Sequence, residues 1–136
     1  MTARFLVLIT ILAAACGAQN RVGDVLYWAS APPPRLRLLH DTLEHLVREQ
    51  TAFFRSNGFY HADFAELDIT TPPGTRVTLE AEERGWSAVA RAPEGAECAV
   101  FIGTVRRIPT ALGVTVPREG RILCAEHAPT PVGGIP

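Results

Sequence analysis

The chain has 136 residues, an apolar fraction of 47%, a charged fraction of 20% and a formal net charge of −1. That length holds one domain with a sizeable core and is short for two, and the composition is that of a folded protein, not a disordered or fibrous one. The near-neutral balance leaves no basic footprint for nucleic acid, and the 13 basic residues, all arginine, are scattered with no recognition pattern.

Arg4 is followed by the apolar run Phe5–Ala15 and then by Cys16-Gly17. A basic start, a short apolar run and small residues at its end form the pattern of a secretory signal peptide, expected over residues 1–15. The run of about 11 residues is well short of the roughly 20 that a permanent membrane-spanning helix needs. Without it the chain keeps 12 basic and 14 acidic residues, a net of −2. Leu12-Ala13-Ala14-Ala15-Cys16 resembles the lipobox of bacterial lipoproteins, with Ala13 where that family prefers leucine. The resemblance implies lipid attachment at Cys16 as the first residue of the mature protein. Gly17, in place of the aspartate associated with inner-membrane retention, implies the outer membrane. Residues 16–34 are then expected to be a lipidated N-terminus and a proline-rich tether. The middle of that stretch, Val25-Leu26-Tyr27-Trp28, is too apolar for a pure linker. Two readings stand for it: packing on the domain, or insertion at a lipid interface, where Trp and Tyr are comfortable.

Arg35 to Tyr60 carries the strongest periodic signal. Leu36, Leu39, Leu43, Leu46, Gln50 and Phe53 recur at steps of three and four, and Val47 and Phe54 widen the stripe. Arg37, His40, Asp41, Glu44, Arg48, Glu49 and Arg55 fall mostly on the other side. This predicts an amphipathic helix whose apolar face needs a partner. Pro32-Pro33-Pro34 sets its start, because proline suits a first helical position and forbids continuation backwards. Asn57-Gly58 supplies the left-handed turn that ends it.

Ala62 to Leu67 reads as a connecting segment with a helical turn, running to the Thr71-Pro72-Pro73-Gly74 turn. Arg76–Glu82 alternates, with Val77, Leu79 and Ala81 on one face, and predicts a strand. Glu83-Arg84-Gly85 turns the chain into a return strand, Trp86–Arg91. Ala92-Pro93-Glu94-Gly95 then leads into Glu97–Gly103, the most apolar strand and the candidate for the sheet centre. Two successive tight turns imply an antiparallel meander. Ile108 to Val116 reads as irregular, Arg121–Cys124 as a last short strand, and residues 128–136 as a flexible tail. The expected architecture is α+β: one long helix on a small antiparallel sheet, the domain covering residues 35–127.

Cys98 and Cys124 remain once Cys16 is given to lipid, and an exported domain with two cysteines pairs them. Zinc is disfavoured there because no histidine lies at ligand spacing from either cysteine. Gln50-x-x-Phe53-Phe54, Asn57-Gly58-x-Tyr60, Gly85-Trp86-Ser87-Ala88, Cys98-x-Val100-x-x-Gly103 and the late Cys124 together resemble the soluble domain of type IV pilins and pseudopilins, over about residues 36–126. The resemblance implies a helix packed on an antiparallel sheet and a disulfide pinning the last strands. The prepilin peptidase site of that family, with its long unbroken apolar helix, has no counterpart here. What the resemblance implies is therefore a pilin-like head without a polymerising stalk.

His40-Asp41-x-x-Glu44-His45 places His40 beside Glu44 and Asp41 beside His45 on a helix. Such side chains are metal-ligand types, but adjacent residues diverge by about 100°, so the two pairs do not converge. His61 and His127 read as isolated surface residues. Glu80, Glu82 and Glu83 read as a charged solvent side, Trp86 and Phe101 as core, and Arg106, Arg107, Arg118 and Arg121 as a weak basic patch. Ser30, Ser56 and Ser87 lack partners nearby in sequence, and no nucleophile elbow or phosphate loop occurs. The expected function is non-catalytic: an outer-membrane lipoprotein with no cofactor, held to the membrane by its lipid. Its expected partner is an envelope secretion or pilus-type assembly or a surface ligand, with an inert structural lipoprotein of no fixed partner as a third reading. The alternative is a periplasmic metal-binding module or enzyme using the His40–His45 face.

Overall fold

A computed structural model describes residues 19–22, 25–28 and 31–128. Cys16, the leader and residues 129–136 lie outside the described residues. The helix α1 spans Pro34–Asn57, with Pro34 in its first turn. Gly58 at φ 78° closes it, donating its N–H to the Phe54 carbonyl at 2.8 Å. Leu36, Leu39, Leu43 and Leu46 are buried, as the periodicity requires.

Six antiparallel strands form one sheet in the order β1-β2-β6-β5-β4-β3. They are β1 (Gln19–Val22), β2 (Val25–Trp28), β3 (Arg76–Glu82), β4 (Gly85–Arg91), β5 (Glu97–Gly103) and β6 (Leu123–His127). The architecture is α+β, one helix on an antiparallel sheet. Thr75 donates to the Pro72 carbonyl at 3.0 Å across a turn with Gly74 at φ 76°, which launches β3. Gly85 and Gly103 face each other across β4 and β5. A Cβ at Gly85 would lie 2.1 Å from the Ile102 carbonyl oxygen, so only glycine allows this backbone approach.

The helix-side face of the sheet presents Trp86, Ala88, Ala90, Cys98, Val100 and Cys124 to the leucines of α1. A 3₁₀ turn, Phe64–Glu66, packs against β3 and contributes Phe64 to the same core. The opposite face is covered by the irregular stretch 104–122. There Val116, with Val105, Ile108 and Val114, packs on Val89, Ala99 and Phe101. β4 and β5 are thus buried on both faces, which explains why they show little polar alternation.

Two expectations are corrected. The stretch 16–34 is not a tether throughout, because β1 and β2 extend the sheet beyond β6. Val25–Trp28 takes the first of its two readings, packing on the domain: Leu26 is buried and Trp28 joins the helix-side core. The last strand is also displaced. Arg121 and Ile122 precede it and it runs to His127, so that Leu26 and Trp28 pair with Glu126 and Cys124.

Candidate functional surfaces

Cys98 and Cys124 are paired residues of β5 and β6, with a Cα separation of 4.0 Å, and they form a disulfide. Both are wholly buried beneath α1. The bond links adjacent strands at the centre of the sheet and offers no exposed redox chemistry.

On the outer side of α1 the His40 Nδ1 lies 3.8 Å from Glu44 and 3.9 Å from Asp41. One ligand atom from each of the three falls within 4.8 Å of the others. The expected pairing of Asp41 with His45 is not formed; His45 turns one helical step on and meets Glu49 at 3.4 Å. A cleft beside His40 and Glu44 is lined by Val47, Arg48, Arg121 and Ile122. The two arginines make that cleft unfavourable for a bare cation, and of the three ligand types His40 is half-buried while Asp41 and Glu44 are exposed.

The opposite face of the sheet carries a second cleft, of about 460 Å³, lined by Arg76, Thr78, Arg91, Glu97 and Ile108 among others. Glu97 is the residue that sequence reasoning missed. It is 2% exposed. Its carboxylate accepts the N–H groups of Ala111 and Leu112, both at 3.1 Å, and lies 3.6 Å from Arg91 Nε. A charged residue opening the most apolar strand was the available signal, since a buried carboxylate must find donors. Tyr27 adds a second tie, donating its hydroxyl proton to the Leu112 carbonyl at 2.7 Å. Ser87 Oγ accepts from Ile108 N–H at 3.2 Å, so this serine pins a loop. Arg107 lies over the Phe101 ring at 4.0 Å and donates to the Val116 carbonyl. It is thus engaged with its own loop and not offered to a basic patch.

At the other end of α1, Gln50 is fully buried and acts as a substitute peptide group. Its amide donates to the His61 carbonyl at 2.7 Å and accepts the His61 N–H at 2.8 Å. His61 is therefore not an isolated surface residue. Its ring contacts Phe53, and its Nε2 lies 3.1 Å from Glu66. Phe54 stacks on Tyr60 and Phe53 meets Phe59 edge to face, leaving Phe54 and Phe59 as exposed aromatics on this end of the domain.

Arg35 joins three elements. It makes a two-pronged contact with Glu126 of β6 and lies 5.9 Å from the Trp28 ring of β2. Hydrogen bonding to Glu126 holds the guanidinium above the ordinary arginine value, against a smaller opposing effect of burial. No described helix is long and apolar enough to cross a membrane. Comparison with protein-family models, curated proteins and solved structures finds no match to this chain.

Proposed function

We propose that the chain is an exported, lipid-anchored protein of the bacterial cell envelope. In this reading its pilin-like domain acts by binding to an envelope secretion or pilus-type assembly, not by catalysis. The observation that carries the reading is the Cys98–Cys124 disulfide at the centre of the core. Such bonds persist in oxidising compartments, and this one agrees with the signal-like stretch and the lipobox resemblance ending at Cys16. One helix over an antiparallel sheet, with its last strands cross-linked, supports the pilin-like part. The test is fractionation of the full chain from an exporting bacterium beside its Cys16→Ser variant. The parent should sediment with outer membrane, and the variant should be lost from that fraction. Recovery of the parent in the cytoplasm with free thiols would contradict the address. Partner capture needs photo-reactive groups, because the chain has no lysine for amine-reactive reagents. Repeated recovery of one envelope partner supports a binding role.

The proximity of His40, Asp41 and Glu44 favours one second reading, a metal-binding module. Titration calorimetry with zinc would support it if tight binding vanished in a His40→Ala, Glu44→Ala double variant.

A further inference from the structure

We propose that the outer edge of β3 is an interface with a second copy of this chain, the two β3 strands pairing antiparallel about a two-fold axis at Leu79. β3 ends the sheet, with β4 as its hydrogen-bonded neighbour on one side only; the 3₁₀ turn Phe64–Glu66 packs against β3 without a backbone hydrogen bond to it. Ala92 donates to Ala96, and the Arg84 carbonyl accepts from Thr104, which directs the even-numbered backbone groups of β4 toward β5. The odd-numbered ones therefore serve β3, bonding to their partners Arg76, Thr78, Glu80 and Glu82. This leaves the N–H and C=O groups of Val77, Leu79 and Ala81 directed away from the sheet. Among the described residues they form no turn, loop or cap hydrogen bond.

The side chains select the occupant. With Leu79 opposite Leu79, antiparallel pairing sets Val77 against Ala81 and matches outward-directed backbone groups throughout. The same register sets Arg76 against Glu82 twice, once at each end, and Thr78 against Glu80. In the single chain Arg76, Glu80 and Glu82 belong to none of the ion pairs among the described residues. Arg76 instead lies opposite Arg91, a like-charge cross-strand neighbour, and Arg91 already faces Glu97. A carboxylate arriving beside Arg76 relieves that repulsion. A strand that is basic at one end and acidic at the other is complementary to itself reversed, which is the requirement of an isologous contact. Charges on an edge also discourage random pairing, so the pattern rewards one register and penalises others.

The test exchanges charges. The full mature chain and its Arg76→Glu and Glu82→Arg variants are examined separately and in mixture by analytical ultracentrifugation and native mass spectrometry in mild detergent. Both positions are exposed, so the fold and the disulfide are retained; circular dichroism and thiol counting check this. The parent should form dimers. Each single variant should dimerise about tenfold or more weakly, because two attractive cross-strand pairs become two repulsive ones. The two single variants mixed should form a heterodimer of near-parental affinity, since every cross-strand charge pair is then opposite in sign. A parent that stays monomeric at high concentration would overturn the proposal. So would dimers indifferent to these substitutions, or single variants that fail to rescue one another. The result does not depend on the cellular address or on a pilin-like role.

Discussion

At the residue scale, single polar groups decide whether the irregular layer stays on the sheet. Glu97, itself buried, satisfies the buried Leu112 N–H and the part-buried Ala111 N–H. Removing its carboxylate orphans both, so Glu97→Ala should cost about 2–4 kcal/mol in urea unfolding. Hydrogen exchange at Ala111 and Leu112 should accelerate in the same variant; unchanged protection there would contradict the role. Arg35 behaves differently because it is more than half exposed. Its link to Glu126 is worth at most about 1 kcal/mol once solvent screening is allowed for. Its raised pKa means that the stabilisation is fully present below the ordinary arginine value and fades only as pH climbs through the still higher folded value. The penalty of Arg35→Ala should therefore stay flat between about pH 6 and pH 9. A penalty that changed with pH across that window would assign the effect to another group.

At the element scale, α1 is held by its leucine stripe and by the Gln50 clamp beyond it. Leu43 is wholly buried whereas Leu38 is 61% exposed. Leu43→Ala should lower stability by about 2–5 kcal/mol, and Leu38→Ala should stay within about 0.5 kcal/mol, as surface changes do. Equal costs would mean that the helix is rotated from the face described. This helix was legible in the sequence from end to end, because proline, leucine spacing and Asn57-Gly58 all state the same answer locally. The meander β3–β5 was legible for the same reason, each turn carrying its own glycine. β1 and β2 were not. They are four residues each, too short for a periodic signal, and what places them is the unpaired edge of β6, a partner about a hundred residues away. Gln50 was visible as a member of the apolar stripe, but its bonds to His61 depend on how the chain returns after Gly58.

At the scale of the whole molecule, the domain is three layers: a helix, a sheet and an irregular coat, with a disulfide at the centre. Closing a loop of 26 residues' separation should contribute about 3–4 kcal/mol on the chain-entropy account. A Cys98→Ala, Cys124→Ala double variant should show that loss as a lower urea midpoint, and reductant should shift the parent toward it. The pairing of these cysteines was readable from the expected export, because two thiols left in an oxidising compartment find each other. The coat over the second face was not, since Val105, Ile108, Val114 and Val116 follow neither helical nor strand spacing. The cleft on the coat side arises only after folding brings Arg76, Arg91 and Glu97 together, and the free β3 edge only from the order of the strands. The central claim is that this disulfide-closed domain is exported and carried on lipid. Intact mass spectrometry of the mature protein, before and after reduction, tests it most directly. The account predicts a chain that begins at Cys16 bearing acyl mass, with Cys98 and Cys124 open to alkylation only after reduction. A mature chain with an unmodified N-terminus elsewhere, or thiols alkylated without reductant, would contradict it.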